Sequence, residues 1–476
     1  MSKTGTALVW FRRDLRLDDN PALNAALEQC QQVIPVYIHA PEEEAPWTPG
    51  AASRWWLHHS LHALRESLQK AGSDLLILRG PSQERLLQLA RQSAASHLFW
   101  NRCYEPVTIE RDRRIKQHLS GEGIICRSFN ANLLSEPGSI LTGQGTPYRV
   151  FTAYWKSARH RLPELSAPVP GPKRLETPPV SPPGLHPDKL ELLPAIPWYR
   201  GFSAVWEPGE SGAWQAWSRF INDGLEGYDS QRDFPGIEGT SRLSPHLHFG
   251  EISPRRMLWD IRHRMDREPA YSRHHECYLG QIGWREFAHY TLFHFPHSAD
   301  HSLDSRFDDA AWTMNESTTG QLQRWQRGET GIPIVDAGMR QLWQTGWMHN
   351  RVRMIVASFL TKNLGIHWRE GARWFWDTLL DADLANNSLG WQWTAGCGVD
   401  AAPYFRVFNP ARQAERFDNA SRYIHHWLPE LADADTFILR HGRPGSESPL
   451  DYPLPLVDLN QSRREALQRW DRIKQR

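Results

Sequence analysis

Short apolar runs alternate with helix-period stretches through the first quarter of the chain. Ala7–Arg12, Val33–His39, Asp74–Leu78, His97–Asn101 and Ile124–Phe129 read as buried strands. Between them, Pro21–Gln29, Ala52–Lys70, Gln83–Ala94 and Ile109–Leu119 carry helical spacing, with Pro or Ser near their starts. This alternation predicts a parallel sheet with helices on both faces, a doubly wound α/β domain over 1–130. Prolines then crowd the chain from Pro163 to Pro197, including Pro168, Pro170, Pro172, Pro178, Pro179, Pro182, Pro183 and Pro187. Proline removes a backbone donor and blocks helix, so residues 131–200 are expected to form an extended surface linker. After Gly212 the pattern is helical almost to the end, with breakers such as Gly331-Ile332-Pro333 between segments. Residues 201–476 therefore read as an all-α domain.

Composition narrows the class without naming a partner. The 476 residues are 23% charged and 40% hydrophobic, which fits a globular protein of two or more domains and excludes a disordered one. A net charge of +1 means that any nucleic-acid footprint has to be local. The five cysteines form no C-x-x-C pair, which argues for a reducing compartment and against a disulfide framework or thiolate zinc. The apolar run after Met1–Thr6 is too short for a signal segment and no later run reaches membrane-spanning length, so a cytoplasmic location is expected. No G-x-G-x-x-G follows the first strand and no G-x-x-x-x-G-K-[ST] occurs, so an ordinary dinucleotide or Walker-type site is not supported.

The unusual feature is tryptophan, at 23 residues. Most of these serve equally as helical core, while others sit beside arginine, histidine or asparagine where stacking or electron transfer is open to them. Four clusters follow. Gly239-Thr240-Ser241-Arg242-Leu243-Ser244-Pro245 stands at a probable helix start, where hydroxyls and backbone N–H groups suit a phosphate or a plain N-cap. Tyr228 and Gln231-Arg232-Asp233 lie just upstream. Gln281 precedes Trp284-Arg285-Glu286-Phe287, an aromatic face with amide and guanidinium that suits an unstacked base, or a buried Trp beside a solvated ion pair. In Gly346–Met354, Asn350, Arg351 and Met354 share a helix face while Arg353 is rotated away. Asp381-Ala382-Asp383 runs into Asn386-Asn387 and Trp391-Gln392-Trp393. No third acid or histidine with ligand spacing stands near the two acids, so no metal is expected there.

In this order, and with Asp400 to Pro410 following, the four clusters resemble the photolyase/cryptochrome family over essentially the whole chain. The resemblance is nearest to bacterial cyclobutane pyrimidine dimer photolyases. It implies an all-helical domain holding FAD. Tyr228 and Thr240, Ser241, Arg242, Leu243 and Ser244 would hold its phosphates and adenosine side. Asp381, Ala382 and Asp383 would face the ring and ribityl chain, Asn387 would face N5, and Arg353 would pair with Asp381. It implies further that Arg232, Gln281, Trp284, Arg285, Asn350, Arg351 and Met354 contact a flipped-out dimer in UV-damaged DNA. The chemistry implied is light-driven electron transfer, with no nucleophile and no metal, in a monomer.

Trp391 and Trp368 match the two inner members of the family's tryptophan relay. The third position falls on Asn315, with Trp312 or Trp325 as replacements. Gln281 stands where many dimer photolyases carry glutamate and resembles the (6-4) branch, whereas His349-Asn350 and Met354 resemble the dimer branch. The dimer reading carries more weight because this stretch faces the lesion. For the antenna pigment, methenyltetrahydrofolate is expected, with a deazaflavin as alternative and no residues assigned. Two other functions are open to the same residues. A cryptochrome-type light sensor shares the scaffold but commonly adds a long C-terminal tail, whereas here Asp451–Leu459 is followed only by a charged helix-like stretch, Arg463–Arg476. A tryptophan-rich single-strand binder would leave Asp381, Asp383 and Asn387 without a role.

Overall fold

A computed structural model describes residues 3–162, 167–179, 183–308, 312, 315–445 and 451–475. The first domain contains β1 (Thr6–Phe11), α1 (Pro21–Gln29), β2 (Gln32–His39), α2 (Ala51–Lys70), β3 (Leu76–Arg79), α3 (Ser82–Gln92), β4 (Ala95–Asn101), α4 (Pro106–Gly121) and β5 (Ile125–Phe129). The five strands are parallel and ordered β3-β2-β1-β4-β5. All six residues of the central β1 are buried, as expected of a strand covered on both faces. Its side chains alternate. Ala7, Val9 and Phe11 pack with Leu23 of α1 and Trp56 of α2, while Leu8 and Trp10 pack with Leu86 of α3 and Ile115 of α4. The chain thus reverses its direction of winding between β1 and β4, and a crevice opens there at the carboxyl ends of the strands.

The stretch expected as an extended linker contains a helix, α5 (Phe151–Arg161). Its dense proline run begins only after the helix ends and no proline lies within 151–161, so nothing there opposes helical pairing. Two prolines of the expected run, Pro163 and Pro182, lie outside the described residues. Described residues between 169 and 185 lie along the α/β domain through backbone hydrogen bonds: Asp19 to Val169, Val33 to Glu176, Leu175 to Ala71 and Leu185 to Ile77, at 2.7–2.8 Å. The linker is therefore stitched down in register and does not act as a loose tether.

The remaining chain contributes α6 (Glu210–Arg219), α7 (Tyr228–Gln231), α8 (Ser244–His248), α9 (Pro254–Arg267), α10 (Ser272–His294), α11 (Glu316–Arg327), α12 (Pro333–Thr345), α13 (Asn350–Ser358), α14 (Trp368–Thr378), α15 (Leu384–Ala395), α16 (Pro410–Phe417), α17 (Arg422–Trp427), α18 (Thr436–His441) and α19 (Leu459–Lys474). No strand occurs in this half among the described residues. The two halves share buried surface: Phe249, Trp347 and Leu380 pack in one cluster with Trp55 and Trp56 of α2. Arg16 is fully buried between them and donates to the carbonyls of Gly250 (2.8 Å), Ala131 and Asp19 (both 3.0 Å). Trp56 Nε1 and the Gly209 amide both donate to Glu251 Oε1, at 2.9 and 2.8 Å. Gly250, at φ +65°, meets the backbone so closely that a Cβ would lie 2.1 Å from the Arg13 carbonyl oxygen. Among the described residues no helix is long and apolar enough to cross a membrane.

Candidate active site

Helix α13 carries the centre of the site. His349 caps it, its Nδ1 accepting from the Arg351 amide at 3.1 Å. One turn on, Arg353 donates from Nη2 to Asp381 Oδ2 at 2.8 Å and from Nε to the Met348 carbonyl at 2.7 Å. Asp381 is buried, and its second oxygen, Oδ1, has no partner among the described residues. Asp383 caps α15, accepting from the Asn386 amide (2.8 Å) and side chain (2.7 Å) at the start of the helix. His289 Nε2 and His248 Nδ1 stand 3.5 and 3.6 Å from its carboxylate. Burial alone would raise the Asp383 carboxyl, but these imidazoles hold it well below the usual carboxylate range. Burial in turn lowers His289, keeping it neutral near pH 7. One turn into α15, Asn387 Nδ2 donates to the Ala372 carbonyl at 2.9 Å, which fixes the amide's orientation.

The loop before α8 is built for an acceptor from outside the chain. Gly239 is buried, Thr240, Ser241 and Arg242 are half-buried, and Arg242 adopts φ +53°. Among the described residues, the backbone N–H groups of Thr240, Ser241 and Arg242 donate to nothing. Ser241 Oγ instead accepts from the Tyr278 hydroxyl at 3.0 Å, and Ser244 Oγ accepts from Trp347 Nε1 at 3.2 Å. Leu243 is buried beneath them. Tyr228 packs edge-on against Phe220 and Tyr278, with the Arg232 guanidinium over its ring at 5.9 Å.

On the outer side of α13, Asn350 is exposed and Met354 half-buried, four residues apart on one face. Arg351 pairs with Asp233 at 2.8 Å and lies over Phe417 at 4.3 Å. Arg232 donates to Cys277 Sγ at 3.3 Å. Gln281 and Trp284 are both half-buried on α10, and Phe151 of α5 stacks on Trp284 at 3.9 Å and 13°. Arg285 departs from the expected role. Its guanidinium is drawn inward, donating to the carbonyls of Asn132 (2.5 Å) and Leu247 (3.4 Å), so it ties α10 to the linker and to α8.

The relay tryptophans share one buried core cluster. Trp391 and Trp368 are both buried on facing helices, and a Cβ on Gly371, one turn from Trp368, would come within 2.0 Å of the Trp391 ring. Asn315, the expected third position, caps α11 through a reciprocal box with Thr318. Trp325 is fully buried, edge-on to Trp391 at 6.2 Å, and so offers no exit. Trp312 is half-buried and stands 4.9 Å from His367, which is 5.7 Å from Trp368.

Residues 278–472 match the model of the FAD-binding domain of DNA photolyase, and residues 7–173 match the DNA photolyase model. A deoxyribodipyrimidine photo-lyase of Agrobacterium fabrum is 44% identical over 482 residues, covering 99% of both chains. The chain belongs to the photolyase/cryptochrome family. Within the family, cryptochrome-1 of Arabidopsis thaliana is 38% identical, over 96% of this chain and 69% of its own length. A bacterial class III photolyase from Agrobacterium tumefaciens superposes with a TM-score of 0.93 at 43% identity, covering 100% of this chain and 99% of that one. An archaeal photolyase from Sulfolobus tokodaii, solved with two FAD molecules, gives 0.82 at 29% identity over 98% of this chain and all of its own.

The residues fit the family's cofactor. Undonated amides at Thr240 to Arg242 suit phosphate, and the unpartnered Asp381 oxygen needs a donor that the protein does not supply. Sequence reasoning missed Phe151, His248 and His289. An F-x-x-x-W spacing marks Phe151 and Trp155 as one helix face, but the adjoining prolines concealed it. The two histidines carry no local signal, because only the fold brings them to Asp383. A separate cavity of about 420 Å³ opens beyond the carboxyl ends of β1, β2 and β4. Trp10, Arg12, Tyr37, Cys103, His248 and Ala382 line it, so it reaches the peptide between Asp381 and Asp383.

Proposed function

We propose that this protein repairs cyclobutane pyrimidine dimers in DNA by light-driven electron transfer, as a cytoplasmic monomer. The observation that carries the reading is the division of labour on α13. Arg353 turns inward to Asp381, while Asn350, Arg351 and Met354 lie on the outer side of the same two turns. Cofactor and lesion would therefore meet across one helix width.

Thr240 to Ser244 would hold the phosphates of FAD with backbone amides and hydroxyls, and Tyr228 would close that end. Arg353, anchored by Asp381 and the Met348 carbonyl, would keep a positive charge beside the flavin ring. Asn387, already donating to Ala372, would present its carbonyl oxygen as an acceptor at N5. The chemistry that reduced FAD would supply, when held by these residues, is light-driven donation of one electron to the lesion and its return after ring opening. Trp284, backed by Phe151, would stack on the extruded bases, and Gln281 would bond a thymine edge as a neutral amide. Arg351 and Arg232 would hold the flanking phosphates. An extruded dimer costs less than a normal pair because it stacks and pairs poorly. Trp391, Trp368 and then Trp312, by way of His367, form the route for recharging the cofactor.

The cavity at the strand ends supports a second chromophore there, with methenyltetrahydrofolate first and a deazaflavin second. Its position at the switch point of the sheet, reaching Ala382, would put such a pigment close to FAD.

The test is repair by the purified, reduced protein of oligonucleotides carrying a cyclobutane thymine dimer or a (6-4) product, with dark controls. Light-dependent loss of the cyclobutane dimer alone is expected. Repair of the (6-4) product alone would overturn the reading of Asn350 and Met354. Repair of neither by a photoreducible flavoprotein would make the chain a light sensor, a reading favoured by its likeness to cryptochrome-1.

A further inference from the structure

Away from the flavin and lesion sites, α2 presents His58 and His62 four residues apart, hence on one face. Asp188, in the linker turn at Pro187–Leu190, comes down on that face across a gap of more than a hundred residues in sequence. His62 Nε2 lies 2.8 Å and His58 Nε2 3.7 Å from Asp188 Oδ1, and one ligand atom from each of the three falls within 4.8 Å of the others. His186 Nδ1 holds the other carboxylate oxygen, Oδ2, at 3.1 Å. Four-coordinate zinc at about 2.0 Å from each ligand sets neighbouring donor atoms about 3.3 Å apart, a value that the two measured separations bracket. The donor set is also the right chemistry. Two imidazoles and a carboxylate suit zinc and neighbouring borderline ions, not calcium or magnesium. A hydrogen bond from His186 to the ligating carboxylate is the usual outer support of such a site. A surface cleft of about 530 Å³, lined by His59, His62 and His186, opens beside His62.

We propose that His58, His62 and Asp188 bind one divalent transition-metal ion, zinc in the first instance, with water completing the tetrahedron. The ion pins the linker turn to α2. Its role is structural, because no ligand lies in the flavin or lesion site.

The experiment uses the untagged, flavin-loaded full chain after chelator treatment, titrated with zinc against a chromophoric zinc indicator. His62→Ala and Asp188→Asn run in parallel; both side chains are partly exposed, so the fold should tolerate the changes. Trypsin cleavage after the exposed Lys189 is followed with and without zinc. The expected result is uptake of one zinc by the wild type, weakened at least tenfold in each variant. Zinc should also slow cleavage at Lys189 in the wild type alone. No uptake by the wild type, or equal uptake by wild type and both variants, would overturn the proposal.

Discussion

Gly371→Ala probes the packing that sets Trp391 in place. A Cβ built on Gly371 would lie 2.0 Å from Trp391 Cη2 and 2.4 and 2.5 Å from the two adjoining ring carbons. Carbon atoms rest at about 3.5–4.0 Å, so the ring or the helix would have to yield by about 1.5 Å. Trp391 has little room to do so. It is 2% exposed and sits edge-on to Phe375 at 5.0 Å and to Trp325 at 6.2 Å. Overpacking of this kind costs about 1–3 kcal/mol or more. Against it stands the gain of about 1 kcal/mol for replacing glycine by alanine inside a helix. The net expectation is a loss of up to about 2 kcal/mol in denaturant unfolding, together with slower photoreduction, because the displaced ring is the proposed first donor to the cofactor. Gly320→Ala provides the control. It lies inside α11 with nothing within 4 Å of the added Cβ, so it should gain about 1 kcal/mol and leave photoreduction unchanged. If Gly371→Ala were as stable as the control and photoreduced at the wild-type rate, the argument that Gly371 exists to admit Trp391 would fail.

Burial lowers the Lys362 ammonium to about 7, with Nζ donating to the Arg406 carbonyl at 3.0 Å. The unfolded chain keeps the proton to about pH 10.4, so stability rises as pH climbs from about 7 toward 10 and is lost as pH falls through 7. Lys362→Met should flatten that slope in melts taken across the range, and an unchanged slope would assign it to other groups. Trp312→Phe should slow steady-state photoreduction while leaving single-turnover repair by pre-reduced enzyme intact; equal photoreduction would move the exit elsewhere. Phe151→Ala removes an aromatic partner of Trp284 worth about 0.5–1.5 kcal/mol, predicting roughly 2–12-fold weaker binding to dimer-containing DNA by filter or gel assay. Arg351→Ala should lower the salt slope of that binding by about 1. Arg285→Ala should leave the slope alone and cost stability, since it strips a donor from two carbonyls; a reduced slope would return Arg285 to the DNA face.

The parallel α/β sheet was legible from sequence because its central strands are covered on both faces and so read as unbroken apolar runs, while their helices keep a clean 3.6-residue period. Strand edges differ from the expectation by one or two residues, where propensity is weakest and pairing partners decide. The helical half and the clusters around Trp284, Asn350 and Asp381 were equally readable, because each is contiguous in the chain. What failed to show were pairings between distant segments. Phe151 meets Trp284 and Asp188 meets His62 only once the linker segment packs against the domains, and His248 and His289 meet Asp383 only once the helices of the second half pack together. Arg285 shows the converse: sequence gives a residue's chemistry and its helix face, but the carbonyls of Asn132 and of Leu247 in α8 draw its guanidinium inward. Local pattern thus determined the elements and the inventory of reactive groups. Tertiary packing decided which of those groups face a ligand and which are consumed by the protein's own backbone.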